Sequence, residues 1–185
     1  MRTFIAVEPP DSVRDEIGRL TGRLKDHLPG LRWSKPKNIH LTLRFLGEID
    51  PALLETLKKG VEGAVSPLAP FSLTVEDIGF FGSRIWPRIV WLGLEGSDEL
   101  AALAKAVENA AVETGFGKAD KPFKAHLTLA RIKDKLAHPP DWERTRGTLP
   151  ENWPAWPVDE VQIIKSTLTP SGPIYETLAH CALKG

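Results

Sequence analysis

The tetrapeptide His40-Leu41-Thr42-Leu43 recurs 86 residues later as His126-Leu127-Thr128-Leu129, and this repeat indicates how the chain is organised. Each copy lies in a stretch that alternates between apolar and polar residues, which predicts a β-strand with one buried face. Each of these strands follows a predicted helix. The same tetrapeptide in the same setting in each half of the chain predicts two similar lobes that face each other.

The residue types within each copy indicate a chemistry. Side chains at positions i and i+2 of a strand point to the same face, about 7 Å apart. His40 and Thr42 would therefore address one small ligand, as would His126 and Thr128. Two imidazoles suit paired acid and base catalysis, and threonine hydroxyls can donate hydrogen bonds to phosphoryl oxygens. The motif leucines are expected to point into the core and fix each strand: Leu41, Leu43, Leu127 and Leu129.

The strands that carry the motifs extend beyond them. The first is predicted over residues 39–46 and the second over residues 123–132. Strict alternation in the second strand places Arg131 on the opposite face from His126. In the first strand, alternation gives an apolar face of Ile39, Leu41, Leu43 and Phe45 and a polar face of His40, Thr42 and Arg44.

The rest of the chain is predicted to be α+β, with about three helices and seven or eight strands. Helices are expected to begin at Asp11, at Asp50-Pro51 and at Ser97. Residues 137–157 carry five of the sixteen prolines, which predicts an irregular excursion with one helical turn around Trp142. No linker is long enough to separate domains, so residues 1–185 are expected to form one bilobal domain.

Composition limits the classes of function. The chain has 24 Lys plus Arg and 24 Asp plus Glu among 185 residues, and this balance argues against a broad, non-specific nucleic-acid binder. The positive charge is local, because residues 30–47 and residues 117–135 each carry about +4 around a motif. This pattern indicates an anionic substrate of limited size, such as a phosphodiester end.

Other classes are disfavoured by what the sequence contains. A metal pair on a strand would favour His-x-His or His-x-Asp, whereas position i+2 of both motifs is threonine, a poor ligand. The single cysteine, Cys181, excludes an intramolecular disulfide and a multi-cysteine zinc site. The sequence has neither a Gly-x-Ser-x-Gly elbow nor a Walker-type glycine loop. A single His-Leu-Thr-Leu would most often be an ordinary strand with a polar outer face, and only its repetition in basic surroundings favours catalysis.

The two motifs and several stretches around them resemble the RNA 2',3'-cyclic phosphodiesterases, historically called 2'-5' RNA ligases, of the 2H phosphoesterase superfamily. The resemblance covers nearly the whole chain. It lies in residues 2–7, in residues 38–48 and 123–131 around the two motifs, in residues 87–93, and in the closing hairpin of residues 166–168 and 172–175. One departure is visible, because the second motif is often preceded by a Pro-His pair and here Ala125 stands before His126.

The resemblance implies two pseudo-symmetric lobes, each an antiparallel sheet with outer helices, and an active-site cleft between the sheets. It implies hydrolysis of a terminal 2',3'-cyclic phosphate to a 2'-phosphate without a metal or other cofactor. His126 would be the general base and His40 the general acid. Thr42 and Thr128 would hold phosphate oxygens. The family also places an arginine at the position of Arg131 near the phosphate, which strict alternation allows only if the strand twists or ends there.

Two rival functions remain open. The reverse reaction, joining RNA ends through a 2'-5' bond, would use the same residues. A non-catalytic module that binds RNA ends or nucleotides would not need a proton donor and acceptor, so the two histidines argue against it. The expected partners are RNA 3' ends or small nucleotides that carry a 2',3'-cyclic phosphate, and no protein partner is implied. We expect a monomer. We also expect a cytoplasmic location, because the chain has no apolar run near the ~20 residues that span a bilayer.

Overall fold

The computed structural model describes residues 1–132, 136 and 138–185. Lys133, Asp134 and Lys135, which belong to the second basic stretch, lie outside the described residues. Ala137, the first residue of the expected irregular excursion, lies outside them as well.

Ten strands and four α-helices account for the regular structure of the described residues. The strands are β1 (Arg2–Val7), β2 (Arg32–Trp33), β3 (Leu41–Glu48), β4 (Phe71–Leu73), β5 (Val75–Gly82), β6 (Pro87–Leu94), β7 (His126–Arg131), β8 (Trp156–Val158), β9 (Glu160–Thr169) and β10 (Gly172–Ala182). The helices are α1 (Asp11–Lys25), α2 (Leu54–Val65), α3 (Asp98–Glu113) and α4 (Trp142–Arg146), with 3₁₀ turns at Pro36–Asn38 and Pro51–Leu53.

The strands form two antiparallel halves. One half has the order β10-β9-β1-β3, and the other has the order β7-β6-β5 with β2 paired to β7. The halves meet where β3 and β7 pair at Leu41 and Leu127, inside the two motifs. A separate two-stranded sheet joins β4 to β8. The prediction of an α+β fold with antiparallel sheets is confirmed.

The helices cover the sheets from outside the cleft. Helices α2 and α3 pack against each other, α3 packs on β3, and α2 packs on β10. Helix α1 contributes a stripe at helical spacing to the core: Val13, Ile17, Leu20 and Leu24. Asp50 and Ser97 cap the following helical turns as the sequence predicted, since their side chains accept from the amides of Ala52 and Leu100.

The structure has more strands and helices than the sequence predicted, and the additional ones are short. Residues 71–78, predicted as one strand, are two strands, because β4 leaves the main sheet to pair with β8 while β5 continues along β6. Strands of two or three residues are too short to show an alternating pattern. The helical turn predicted around Trp142 is α4, and the Trp142 ring stacks on Phe80 of β5 at 4.2 Å.

The predicted faces of β3 are wrong beyond Leu43. In the pairing of β3 with β1, Ile5 lies opposite Arg44 and Ala6 lies opposite Thr42, so Leu43 is an extra residue that forms a β-bulge. A bulge reverses the alternation that follows it. Arg44 is consequently buried on the core side, and Phe45 is 46% exposed instead of lying in the core.

Candidate active site

A cavity of about 310 Å³ lies where the two halves meet, and all five side chains singled out from the sequence line it. These are His40, Thr42, His126, Thr128 and Arg131. The pairing of Leu41 with Leu127 explains the arrangement, because these two leucines are buried and turn their neighbours toward the opposite face.

The antiparallel register also relates the four motif side chains to one another. Extending the pairing of Leu41 with Leu127 by one residue in each direction places His40 opposite Thr128 and Thr42 opposite His126. Directly opposed side chains of antiparallel strands lie about 5 Å apart at Cβ. Each imidazole therefore faces the threonine of the other motif, and the four polar groups surround one position at the centre of the cleft.

Arg131 reaches this cleft through a second bulge. In the pairing of β7 with β6, Val90 lies opposite Ala130 and Trp91 lies opposite Thr128, so Leu129 is the extra residue. Leu129 and Ala130 are both buried, and Arg131 returns to the face of His126 and lines the cavity. The expectation from strict alternation, that Arg131 lies on the opposite face, is wrong because of this bulge.

Main-chain carbonyl groups orient both imidazoles in the same way. Nδ1 of His40 lies 2.9 Å from the carbonyl oxygen of Asn38, and Nδ1 of His126 lies 2.7 Å from that of Lys124. A carbonyl oxygen only accepts hydrogen bonds, so Nδ1 of each ring carries the hydrogen and donates it. Nε2 is thus the nitrogen of each histidine that can exchange a proton with a ligand.

Aromatic side chains enclose His40. Its ring stacks on Phe4 at 4.6 Å and makes an edge contact with Tyr175 at 5.1 Å. Burial lowers the pKa of His40 from 6.5 to about 4, with further lowering by the positive charge of Arg131, although the hydrogen bond to Asn38 acts in the other direction. The His40 ring is therefore neutral at pH 7 in the free protein.

His126 has an equivalent but more open setting. Phe81 contacts its ring edge at 5.0 Å, and Trp91 lies 6.5 Å away. Burial also lowers the pKa of His126 below 6.5, and the charges of Lys124 and Arg131 act in the same direction. The ammonium of Lys124 lies 4.6 Å from the centre of the Trp91 ring, which places a cation beside this histidine.

Two glycines make room for the Trp91 ring. A Cβ atom added to Gly79 would lie 2.5 Å from the indole, and one added to Gly93 would lie 3.1 Å from it. Gly79 is paired with Trp91 across β5 and β6. The indole therefore lies flat against backbone that carries no side chains, and it forms part of the aromatic packing around His126.

The closing hairpin supplies site residues that the sequence analysis did not single out. Tyr175 and the turn residues 170–173 line the cavity, as do Trp33 and Lys35. The Asn38 side chain donates to the carbonyl of Pro173 at 3.0 Å, which ties the turn before the first motif to this hairpin. The hairpin residues are distant in sequence from the motifs, and the one signal for Tyr175 was that residues 172–175 resemble the closing hairpin of the family.

The described residues lack two other kinds of feature. Among residues 1–132, 136 and 138–185, no group of three or more His, Cys, Asp or Glu side chains could hold a metal ion. Within the same ranges, no helix is long and apolar enough to cross a membrane.

The main antiparallel sheet has two halves that each present a His-x-Thr strand to one cleft, which is the arrangement expected of a two-repeat phosphoesterase. In agreement, the family model described as LigT like Phosphoesterase matches the chain twice, over residues 7–91 and 92–175. The chain belongs to this family, as the sequence resemblance predicted, and is an enzyme that acts on phosphodiester bonds.

Similar proteins span the whole chain. The RNA 2',3'-cyclic phosphodiesterase of Thermotoga maritima is 34% identical over 185 residues, which covers 100% of this chain and 97% of its own length. The RNA 2',3'-cyclic phosphodiesterase of Archaeoglobus fulgidus is 34% identical over 178 residues, which covers 96% of this chain and 98% of its own length. Among solved structures, a protein of Thermus thermophilus has a TM-score of 0.82 at 29% identity, covering 100% of this chain and 99% of its own. E. coli LigT complexed with 3'-AMP has a TM-score of 0.80 at 27% identity, covering 100% and 98%.

Proposed function

We propose that this protein hydrolyses the 2',3'-cyclic phosphate at RNA 3' ends to a 2'-phosphomonoester, using two histidines and no metal ion. The observation that carries the proposal is the pair of imidazoles with Nδ1 bonded to main-chain carbonyls, which leaves both Nε2 atoms for one central ligand. The names of the relatives from T. maritima and A. fulgidus support the choice of substrate. The bound 3'-AMP in E. coli LigT supports a nucleotide phosphate as the ligand.

Each site residue has a role in the proposed reaction. Nε2 of His126 accepts a proton from water as the water oxygen bonds to phosphorus. The bond from phosphorus to O3' breaks, and Nε2 of His40 donates its proton to that oxygen, which leaves a 2'-phosphomonoester and a free 3'-hydroxyl. Thr42 and Thr128 donate hydrogen bonds to the non-bridging oxygens, and Arg131 balances their negative charge.

The electrostatics of the free cleft favour binding of an anion. Arg131 acts on both histidines, and it makes protonation of either ring more costly. A bound phosphate would neutralise this repulsion and stabilise an imidazolium beside it, which raises the pKa of His40 toward the range where it can act as an acid. Substrate binding and protonation of His40 are thus coupled.

The test uses EDTA-treated protein and a short RNA that ends in a 2',3'-cyclic phosphate. We expect complete conversion to the 2'-phosphate isomer, identified by chromatography against synthetic 2'- and 3'-phosphate standards. The double variant His40→Ala, His126→Ala is the control for contaminating nuclease. A 3'-phosphate product would contradict the assignment of O3' as the leaving group. Activity abolished by EDTA and restored by a divalent ion would contradict a metal-independent reaction.

A further inference from the structure

A second cavity, of about 520 Å³, opens beside the first and shares Thr42 and His126 with it. Its remaining wall is formed by β3, by Ala104 and Glu108 of α3 and by residues 118–124 before β7. Because both cavities contact the same two motif residues, a ligand with its phosphate at the centre of the cleft can extend into either one.

Contacts of Arg44 and Glu108 connect the segment that forms this wall to β3 and α3. The Arg44 side chain, only 7% exposed, lies 3.1 Å from a carboxylate oxygen of Glu108 and donates to the carbonyl of Gly117 at 2.8 Å. The other oxygen of Glu108 accepts from the amide of Ala119 at 2.8 Å. The bulge that turned Arg44 away from the first cavity thus fixes the shape of the second.

The lining of the second cavity combines aromatic rings with positive charge. Phe45 and Phe123 are 46% and 38% exposed, and both line this one cavity, so their rings are accessible to a ligand that enters it. The Arg2 guanidinium lies 4.5 Å from the centre of the Phe45 ring and holds that ring in position. Three exposed lysines also line the cavity: Lys118, Lys121 and Lys124.

Two carboxylates line the cavity as well, and they do not cancel this charge. Glu108 is paired with Arg44, so Asp120 remains against the three lysines. Exposed aromatic rings beside cationic side chains are the arrangement that binds single-stranded nucleic acid, since bases stack on the rings and phosphates contact the cations.

We propose that the second cavity binds the nucleotide on the 5' side of the cyclic-phosphate nucleotide, with its base stacked on Phe123 and Phe45 and its phosphate near the lysines. The proposal rests on the proposed function and adds to it a preference for an RNA end over a free cyclic mononucleotide. Charge complementarity and continuity with the first cavity select RNA as the occupant.

The experiment compares three substrates with the full-length protein. They are a 2',3'-cyclic mononucleotide, a dinucleotide that ends in the same cyclic phosphate, and that dinucleotide with an abasic sugar at its 5' position. We expect kcat/KM to be highest for the dinucleotide, by about 5- to 100-fold over the mononucleotide, which is the range of one base stack plus a phosphate contact. The abasic dinucleotide should lie between the two.

The variants Phe123→Ala and Lys121→Gln should lower the ratio of dinucleotide to mononucleotide kcat/KM, and Phe123→Trp should restore it. Lys59→Gln, an exposed lysine on α2, is the matched control and should leave the ratio unchanged. Equal rates for all three substrates, or a ratio that Phe123→Ala does not alter, would overturn this proposal while leaving the proposed function intact. Failure to hydrolyse any of the three substrates would instead overturn the proposed function.

Discussion

Arg131 and Phe45 occupy equivalent positions in the two repeats, since each follows its motif histidine by five residues and each is returned to the cleft side by a bulge at the last motif leucine. The repeats therefore share the same strand geometry, with a bulge at the same position, and differ in the side chain that follows the bulge. One half contributes a guanidinium to the first cavity, and the other contributes an aromatic ring to the cavity beside it. This difference makes a symmetric framework chemically asymmetric around the phosphate.

Replacing Arg131 by a neutral residue should raise the pKa values of His40 and His126. Its positive charge disfavours a second cation nearby, so Arg131→Gln should raise the pKa of His40 and of His126. The loss of a charge-assisted phosphate contact should also lower kcat/KM by about 10- to 100-fold. Titration of the histidine ring protons by NMR measures the first effect. Arg88→Gln, which replaces an exposed arginine on β6, is the control. Unchanged histidine pKa values in Arg131→Gln would show that the charge of Arg131 does not act on the two rings.

The pH dependence should reveal how far burial lowers the histidine pKa values. The proposed reaction requires one ring protonated and the other neutral, so kcat/KM should follow a bell-shaped pH profile whose limbs are the two pKa values of the free enzyme. Both lie below 6.5, with that of His40 near 4, which places the optimum of kcat/KM on the acid side of pH 6.5. The profile of kcat should lie at higher pH, because the bound phosphate raises the pKa of the rings. An optimum of kcat/KM above pH 7 would contradict this account.

Substitution of the two histidines should separate their roles. His40→Ala and His126→Ala should each lower kcat by about 10²- to 10⁴-fold, the usual contribution of general acid or base catalysis. The double variant should lose less than the product of these factors, because the residues act as a unit. A diester with a nitrophenolate leaving group needs little protonation, so it should rescue His40→Ala and leave His126→Ala impaired. Rescue of His126→Ala instead would reverse the two roles. His180→Ala, an exposed histidine paired with Glu160, serves as the control.

A single methyl group on β5 should disturb the packing around His126. Gly79→Ala would bring Cβ to 2.5 Å from the Trp91 ring, so the indole must shift, at a cost of about 1–3 kcal/mol in the free energy of unfolding. Gly63→Ala on α2, where an added Cβ meets nothing within 4 Å, should instead stabilise the protein by about 0.5–1 kcal/mol. Urea unfolding followed by tryptophan fluorescence measures both. Equal stability of the two variants would show that the indole can move freely.

The sequence predicted most of the side chains that line the first cavity, because a local pattern places them there. A His-x-Thr pair needs only the period of a strand, and the repeat by itself predicts that His40, Thr42, His126 and Thr128 lie together. Arg131 was different, because its orientation depends on a bulge at Leu129 that leaves no mark in the alternating pattern. The same holds for Arg44, whose bulge turned it from the predicted polar face into the core.

Residues brought in by tertiary contacts were the hardest to predict. Tyr175 reaches His40 because β10 pairs with β9 and β9 with β1, an order that local periodicity does not encode. The second cavity likewise depends on the ion pair between Arg44 and Glu108, which are 64 residues apart in the sequence. The expectations of a monomer, of a cytoplasmic location and of one domain stay predictions.

The hydrogen bonds from Nδ1 of His40 and His126 to main-chain carbonyls also govern what must happen between turnovers. Each ring can gain or lose a proton only at Nε2, so neither histidine can pass a proton through to the protein interior. One round of the proposed reaction leaves His126 protonated and His40 neutral, the reverse of the state in which it began. His126 must then lose its proton through the cleft itself, by exchange with water, whereas His40 is already neutral, as in the free protein, and takes up a proton there when the next substrate binds. A product that lingers there delays this exchange, which couples the turnover rate to the departure of the 2'-phosphate.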